Sequence, residues 1–325
     1  MTLDLTLTEE LRQVLDAAQQ MLDTHYPVSR LREGAADPMA PLAEFGTFLL
    51  GFPEDAGGAG LGRVEEAQLH SLLGRHLVSP SAVAVSIAAR IALGAEDVDL
   101  ALAIAGGEVA VCAGVTTPDG PLLIDAGGAA HAVLRDGATL SLVPLAGLAT
   151  EDAPMMGHGR ALARVTSALP AGPEALPEVA LLHDLLVSAQ LLGVAEAARD
   201  LAVDYARTRE QFGRPIGAFQ AIKHHGANMA LGAEMLSAQL DMAALTLDAR
   251  APDAGFQVAA LARLAPRIAL ENARLGIQVH GGIGFSAEAD AQLYLKQAHL
   301  LRALLGPHDM LSFDAPMAPT GKAPS

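Results

Sequence analysis

The 325-residue sequence contains no tryptophan, a single cysteine and only 3% aromatic residues. One cysteine, Cys112, can form neither an intrachain disulfide nor a Cys-x-x-Cys metal motif, which excludes a disulfide-based scaffold. This cysteine usage suits a reducing compartment, and we expect the cytoplasm. We predict no metal site, because His224 and His225 are adjacent and cannot form the i, i+4 pair that binds a metal on a helix.

Basic residues are also scarce, since 21 Lys and Arg face 37 Asp and Glu and give a formal net charge of -16. This balance disfavours nucleic acid and anionic membranes as partners. Residues 1–10 lack the basic and apolar segments of a signal peptide, and we see no run of roughly 18 uninterrupted apolar residues, so no membrane span is predicted. The 51% hydrophobic content predicts a soluble protein with a large core and an oligomer interface.

The apolar pattern divides the chain into three regions. Residues 1–107 show mostly helical spacing and predict a helical domain. Residues 108–169 contain short apolar runs separated by Gly, Asp and Pro, and predict a small β-domain. A Pro-rich linker at 170–177 follows. The expected strands are 109–112, 121–124, 132–134 and 140–145.

Beyond the linker, helical spacing returns over four long segments and predicts an antiparallel four-helix bundle across residues 178–306. Met229, Met235 and Met242 follow this spacing and are predicted to be core residues. Residues 307–325, rich in Pro, Ala, Gly and Ser, are expected to form a disordered tail. The expected bundle helices are 179–208, 218–251, 256–276 and 286–305.

Two segments of the bundle contain candidate binding residues. The first, at 205–225, contains Arg209 beside a Gly-Pro-Gly turn between two helices, where a guanidinium and free backbone N–H groups could hold a pyrophosphate or could lie at the surface. The second, Gln-Val-His-Gly-Gly-Ile-Gly-Phe at 278–285, allows close backbone approach to a ligand, although a helix C-cap would also explain its glycines.

Together the two segments resemble the paired C-terminal motifs of the acyl-CoA dehydrogenase family, Arg-x-Gln-Phe-Gly-x-Pro-Ile-x-x-Phe-Gln and Gln-x-His-Gly-Gly-x-Gly. The glycine-rich loop at 52–62 resembles the N-terminal domain of that family. The resemblance covers roughly residues 5–115 and 178–306. It implies a mainly α fold with an N-terminal helical domain, a reduced β-domain and a C-terminal four-helix bundle.

In this family one subunit lends its C-terminal motifs to the FAD site of its neighbour. The resemblance implies that the first motif contacts the FAD pyrophosphate and adenosine and that the second approaches the pyrophosphate. The implied FAD-binding residues are Arg209, Gln211, Phe212, Phe219, Gln220, Gln278, Gly281 and Gly282.

The same resemblance implies that the catalytic carboxylate is missing. The family removes an α-proton with a Glu while a hydride passes to FAD, and Leu305 occupies that Glu position. Some relatives place the base at the start of the first bundle helix, where His183 and Asp184 lie. An acidic residue in a first helical turn is more often a surface group, and we favour that interpretation.

The middle region also departs from the family pattern. The Thr-Glu-Pro-x-x-Gly-Ser type of loop, which hydrogen-bonds the flavin ring, is replaced by Gly-Val-Thr-Thr-Pro-Asp-Gly at 114–120. We therefore predict a noncatalytic subunit of a heteromeric, α2β2-type acyl-CoA dehydrogenase, as in split actinobacterial enzymes that act on steroid-derived CoA thioesters. A larger subunit, an acyl-CoA substrate and an electron-transfer flavoprotein-like acceptor are its expected partners.

Two alternatives remain open at this point. The chain could form a complete homomeric dehydrogenase that uses His183 or Asp184 as an atypical base. It could instead be a structural or interaction protein that kept the bundle and lost flavin binding, although the intact motifs around Arg209 and Gln278 count against this.

Overall fold

A computed structural model describes residues 8–34, 37–154 and 159–307, and the expected tail at 307–325 lies almost entirely outside these ranges. Helices occupy both ends of the described chain and a small sheet lies between them, so the predicted fold class is confirmed. The first helix begins at Thr8, whose Oγ1 accepts a hydrogen bond from the backbone N–H of Leu11 at 3.1 Å. Glu9 and Glu10 follow in its first turn, where the helix dipole favours acidic side chains.

Five α-helices form the described part of the N-terminal region. The glycine-rich loop before the third helix folds back on itself, because the N–H of Gly58 donates to the carbonyl of Pro53 at 2.9 Å. A Cβ at Gly58 would lie 2.1 Å from the carbonyl oxygen of Phe52, so the turn requires glycine. The helices are α1 (Glu9–His25), α2 (Ala40–Glu44), α3 (Arg63–Arg75), α4 (Ser81–Gly94) and α5 (Val98–Ala105).

The middle region forms a six-stranded sheet in the order β4-β3-β1-β2-β6-β5, in which β1 and β3 are parallel and the other neighbours are antiparallel. All four expected strands are present. The sequence did not reveal β5 and β6, because β5 has three exposed residues and β6 has four residues of which one is buried, too few for an alternating pattern. The strands are β1 (Val111–Thr117), β2 (Gly120–Ile124), β3 (His131–Asp136), β4 (Thr139–Pro144), β5 (Thr150–Asp152) and β6 (Leu162–Val165).

The Pro-rich linker runs along the outer edge of the sheet. The N–H of Leu142 donates to the carbonyl of Pro173 at 2.9 Å, and the N–H of Ala175 donates to the carbonyl of Leu140 at 2.8 Å. The linker thus pairs with backbone groups of β4 that would otherwise face solvent, and it connects the sheet to the bundle.

The C-terminal region is the expected bundle of four helices. The last helix begins at Ala291 instead of 286, because Gly281–Phe285 forms a 3-10 turn. A short hairpin of β7 (Glu210–Gln211) and β8 (Arg214–Pro215) joins the first two bundle helices. The helices are α6 (Pro177–Thr208), α7 (Gln220–Asp248), α8 (Ala254–His280) and α9 (Ala291–Leu304).

The methionine prediction was wrong for two of three residues. Met229 is buried, but Met235 is 48% exposed and Met242 is 38% exposed. Leu236 and Leu240 supply the buried positions instead, one turn apart on the inner face of α7. Helical spacing alone did not show which side of α7 faces the core, because apolar residues lie on both sides of this helix.

Helix α6 is the centre of the fold. It has the length and hydropathy of a membrane span, yet 83% of that apolar window is buried inside the protein. It crosses α3 at two glycines, since a Cβ at Gly74 would lie 2.1 Å from the carbonyl oxygen of Gln190 and one at Gly193 would lie 1.9 Å from that of Ser71. The absence of side chains at both positions allows the two helix backbones to touch.

Candidate functional site: the motif end of the bundle and the Arg135 cluster

The two motif segments meet at one end of the bundle, where α6 and α8 both terminate. The ring of Tyr205 in the last turn of α6 stacks on the ring of His280 at the end of α8, with centroids 4.3 Å apart and planes at 22°. Ala206 and Val279 pack together with Met229 of α7 in a small buried cluster beneath them. This packing brings the two segments, some 70 residues apart in sequence, to one surface.

The β7–β8 hairpin projects from this end. Its tip residues, Phe212 and Gly213, both have positive φ, at 55° and 76°, as in a two-residue hairpin turn. The Phe212 side chain is 92% exposed and meets the ring of Phe219 edge-on at 6.0 Å. The guanidinium of Arg214 lies 4.3 Å above the Phe219 ring. The hairpin therefore exposes the Phe212 ring to solvent, while Arg214 and Phe219 pack together at its base.

Polar groups surround this aromatic tip. Arg209 and Gln278 are exposed, and within the described chain neither side chain forms a hydrogen bond or ion pair. A Cβ added to Gly281 or Gly282 would meet nothing within 4 Å, so the backbone there is open. Of the predicted FAD-binding residues, Phe219 is half-buried and the others are exposed.

These groups suit the pyrophosphate and adenine portion of FAD. A guanidinium, an amide and uncovered glycine backbone are the donors that phosphate oxygens require, and an aromatic side chain offers a surface for a flat ring. Arg209, four residues after Tyr205, and Gln278, two residues before His280, lie at the end of the bundle where those two rings stack.

The flavin-ring half of such a site is different. Segment 114–120 is a tight hairpin, in which β1 runs to Thr117, turns through Pro118 and Asp119, and pairs with Gly120. The hydroxyl of Thr117 donates to the carbonyl of Gly120 at 2.7 Å and closes the turn. The residues of this segment are committed to the sheet and do not fit an isoalloxazine ring.

A second group of functional positions converges on Arg135 of β3. Leu305 follows α9 and packs half-buried against the core. A Cβ at the next residue, Gly306, would lie 3.2 Å from Nη1 of Arg135 and 3.4 Å from Oδ2 of Asp184. The residue that follows Leu305 therefore adjoins both Arg135 and Asp184.

Arg135 holds this group together. Its Nη2 donates to Oδ1 of Asp184 at 2.5 Å and lies 2.9 Å from Nδ1 of His183, which is also 2.9 Å from Oδ1 of Asp184. The Arg135 and Asp184 side chains are only 4% and 6% exposed. Sequence reasoning missed Arg135, although one signal was present, since a charge directly follows the apolar run Ala-Val-Leu at 132–134 of a predicted strand.

The interpretation of Asp184 as a surface group was wrong. Helix α6 begins at Pro177, so Asp184 lies about two turns inside it, on the side that packs against the sheet. Both His183 and Asp184 are buried. The ion pair between Arg135 and Asp184 links the middle sheet to the bundle.

The electrostatics of this cluster disfavour proton transfer. Burial, reinforced by the positive charge of Arg135, lowers the pKa of His183, and the Asp184 carboxylate only partly opposes this. His183 is therefore neutral at pH 7. Nδ1 of His183 lies 2.9 Å from both Nη2 of Arg135 and Oδ1 of Asp184, so this nitrogen is enclosed by the ion pair. The carboxylate of Asp184 is neutralised by Arg135 at 2.5 Å.

Within the described ranges, no group of three or more His, Cys, Asp or Glu side chains is arranged to hold a metal ion. Cys112 is buried in β1, and burial raises the pKa of its thiol to about 12.

Comparison with known proteins is consistent with this geometry. Residues 8–98 match the N-terminal domain of acyl-CoA dehydrogenases and residues 184–312 match the C-terminal domain. The chain is 37% identical over 302 residues to the acyl-CoA dehydrogenase FadE34 of Mycobacterium tuberculosis, covering 84% of this chain but 41% of FadE34, so it spans less than half of that relative. It is 34% identical over 281 residues to IpdE2 of the same species, covering 82% of each chain.

Solved structures show the same fold. A variant of the Tcur3481-Tcur3483 steroid ACAD superposes with a TM-score of 0.76 at 27% identity, over 94% of this chain and 96% of that one. The ChsE4-ChsE5 complex from Mycobacterium tuberculosis contains a chain with a TM-score of 0.76 at 22% identity, over 94% and 95% of the two chains. With both terminal domains matched and relatives of this identity and coverage, the chain belongs to the acyl-CoA dehydrogenase family of oxidoreductases.

Proposed function

We propose that this chain is a subunit of a heteromeric, FAD-dependent acyl-CoA dehydrogenase, in which it contributes the cross-subunit half of the FAD site. A larger partner supplies the flavin-ring loop and the catalytic base. One observation carries the proposal: Arg209 and Gln278 stand exposed and uncommitted, whereas the base position is occupied by Leu305 beside a closed ion pair.

The division of the site follows from what each half requires. Removal of an α-proton needs a carboxylate able to accept it, and Leu305 cannot do so. FAD, when bound, accepts the β-hydrogen as hydride. Arg209 and Gln278 would hold the pyrophosphate, Gly281 and Gly282 would let it approach the backbone, and the remaining first-motif residues would contact the adenosine. The predicted residues for that contact are Gln211, Phe212, Phe219 and Gln220.

The substrate class and the partners are part of the same proposal. Structural relatives include a steroid ACAD and the ChsE4-ChsE5 complex, which supports a steroid-derived acyl-CoA and an assembly of two different chains, of the α2β2 type. A chain of the electron transferring flavoprotein structure of Acidaminococcus fermentans shares the fold at 20% identity. We place the enzyme in the cytoplasm, with an electron-transfer flavoprotein-like acceptor.

Co-expression tests this function. We expect the chain to purify colourless alone and the complex to carry flavin absorbance when a longer relative with a Glu-Gly-Thr motif, from a neighbouring reading frame, is co-expressed. In that complex Arg209→Ala should reduce bound flavin about tenfold or more, since a hydrogen bond to a charged group contributes about 1.5–3 kcal/mol. Arg207→Ala is the matched control, because Arg207 is also exposed and pairs with Asp204 instead.

The alternatives give different results. A lone chain that purifies yellow with dehydrogenase activity would favour a homomeric enzyme, and His183→Ala or Asp184→Asn would then abolish turnover while flavin is retained. A complex that keeps its flavin undiminished after Arg209→Ala would favour a structural protein. The buried, Arg135-bound state of both alternative bases supports neither as a proton acceptor.

A further inference from the structure

A cavity lies between the N-terminal helices and the small sheet, on the side of the sheet where β1 begins. Its volume is about 260 Å³. Since an apolar cavity of roughly 150 Å³ binds benzene, a space of this size holds in proportion a molecule of about ten non-hydrogen atoms. The lining residues come from segment 37–48, from α4 and α5, from the start of β1 and from the loop after β2.

The floor of the cavity is apolar and buried. The hydroxyl of Ser81 also lines it, but this group donates to the carbonyl of Ile124 at 3.2 Å and accepts from the N–H of Ala113 at 3.3 Å. It is therefore committed to the sheet, and the floor favours a hydrocarbon surface. The apolar floor residues, each at most 4% exposed, are Phe48, Val85, Ile104 and Val111.

Small residues form the rim of the cavity. Ala40, Gly107, Ala110 and Gly127 line it and are exposed. Side chains of this size leave an opening through which a small molecule can enter. A Cβ at Gly127 would meet nothing within 4 Å, so a larger side chain at this position would extend into open space at the rim.

Two carboxylates, Asp37 and Asp125, line one side of the cavity. Asp37 accepts from Nε and Nη2 of Arg30 at 2.7 and 3.1 Å, from the backbone N–H of Ser79 at 2.6 Å and from Nη1 of Arg160 at 2.9 Å. These donors fill the roughly four acceptor sites of a carboxylate. Burial opposes ionisation, but the charges of Arg160 and Arg30 outweigh it and lower the pKa of Asp37. Asp37 is therefore a saturated anion.

Asp125 keeps one acceptor site. Its Oδ1 accepts from the N–H of Ala161 at 3.0 Å, and its Oδ2 accepts from Oγ of Ser79 at 2.6 Å and from Nη1 of Arg160 at 3.3 Å. Within the described chain these donors leave one of about four lone-pair sites. The Asp125 side chain is 17% exposed, against 1% for Asp37, so Asp125 is the carboxylate that a molecule in the cavity can reach.

This arrangement selects the chemistry of a ligand. Neither Arg30 nor Arg160 lines the cavity, so a bound molecule meets the carboxylates rather than the guanidiniums, and an anion is disfavoured. The open acceptor site of Asp125 favours a hydroxyl donor, and the floor favours a hydrocarbon body. We propose that this cavity binds a neutral, mostly hydrocarbon alcohol of about ten non-hydrogen atoms, whose hydroxyl donates to Asp125.

The cavity is separate from the sites described above. Strands β1 and β3 are parallel, with Val111 beside His131 and Val115 beside Arg135. Val111 lines the cavity, so Arg135 lies four residues further along the sheet, about 13 Å at about 3.3 Å per residue. No described residue of the four bundle helices lines the cavity. The inference therefore goes beyond the proposed function, and binding here does not require flavin.

Three probes of similar size test the ligand chemistry on the full chain by titration calorimetry. 1-Indanol is neutral and carries a hydroxyl donor, 1-indanone has the same rings but can only accept, and phenylacetate is an anion. We expect 1-indanol to bind with a Kd of about 1 mM or tighter. 1-Indanone should bind about tenfold more weakly, because it cannot donate to a carboxylate, and phenylacetate should give no binding heat.

Variants locate the binding. Gly127→Leu should abolish 1-indanol binding by closing the rim, and Val85→Phe should do so by filling the floor. Gly255→Leu is the matched control, because a Cβ at Gly255 also meets nothing within 4 Å but lies on α8. Asp125→Asn suits the positive φ of 53° and should bring the Kd values of 1-indanol and 1-indanone to within about twofold, since an amide both donates and accepts. Circular dichroism establishes that each variant is folded.

Other outcomes would overturn the inference. Tighter binding of phenylacetate than of 1-indanol would show an anion site. Equal binding of 1-indanol and 1-indanone to the wild type would show that Asp125 does not accept from the ligand. A wild type that binds none of the probes, or 1-indanol binding that persists in folded Gly127→Leu or Val85→Phe, would show that the cavity is not a binding site.

Discussion

The phenol ring of Tyr205 stacks on the imidazole of His280 at 4.3 Å and fixes the end of α6 against the end of α8. Arg209 lies four residues after Tyr205 and Gln278 lies two before His280. The stack therefore sets the spacing between the two side chains proposed to hold one pyrophosphate.

The first prediction concerns this stack. In the co-expressed complex, Tyr205→Ala should weaken FAD binding several-fold, because an aromatic pair contributes about 0.5–1.5 kcal/mol and its loss frees both motifs. Tyr205→Phe keeps the ring and should retain FAD. Bound flavin per complex and the Kd for added FAD measure both. Equal losses in the two variants would point to the hydroxyl rather than the stack.

The second prediction concerns the Arg135–Asp184 pair. Arg135→Leu should lower stability by about 3–5 kcal/mol, because it removes the guanidinium that compensates the buried carboxylate of Asp184. R135L/D184L should recover much of that loss, since no charge then remains. Arg12→Leu is the control: its pair with Glu9 is 55% and 70% exposed, and its removal should cost about 1 kcal/mol or less. Thermal melting of the isolated chain distinguishes these cases.

The third prediction concerns the missing base. Leu305→Glu should not confer dehydrogenase activity on the isolated chain, because segment 114–120 is a closed hairpin that offers no flavin-ring loop. It should instead destabilise the chain, since it places a carboxylate among the apolar core residues against which Leu305 packs. Leu305→Gln serves as the uncharged control. Turnover of an acyl-CoA with a dye acceptor tests activity, and any gain specific to Glu would contradict the half-site assignment.

The fourth prediction concerns His70 of α3 and acid stability. Burial, with help from the Arg90 charge and against the Glu66 charge, lowers the pKa of His70 to about 4. Between about pH 6.5 and pH 4, His70 binds a proton in the unfolded chain but not in the folded chain. The free energy of unfolding therefore falls as pH falls through this window. The loss should reach on the order of 3 kcal/mol.

His70→Gln cannot titrate and should flatten this pH dependence. Melting temperatures of both proteins at about pH 7 and about pH 4.5 test the effect. His183, whose pKa is also lowered, should leave a residual slope in the variant. A slope unchanged by His70→Gln would mean that other groups govern the acid response.

Local patterns sufficed for much of the fold. Helical spacing predicted the bundle and the N-terminal helices, because most of these segments bury one side and the chain repeats every 3.6 residues. The two motifs were recognisable for a similar reason, because each is a short run of neighbouring residues. One run contains Arg209 and the hairpin tip, and the other contains the glycines at 281 and 282. The sequence pattern did not predict strands β5 and β6, because β5 buries no residue and β6 buries only one.

The sequence by itself determined most of the helical and strand composition and the presence of the two motifs around Arg209 and Gln278. Only the tertiary structure decided that Arg135 of the sheet pairs with Asp184 of α6 and that α6 and α3 cross at Gly193 and Gly74. The first pairing joins residues 49 positions apart in the sequence. The second joins residues on two separate helices. No local periodicity encodes them, because long-range contacts depend on how whole elements pack around the central helix.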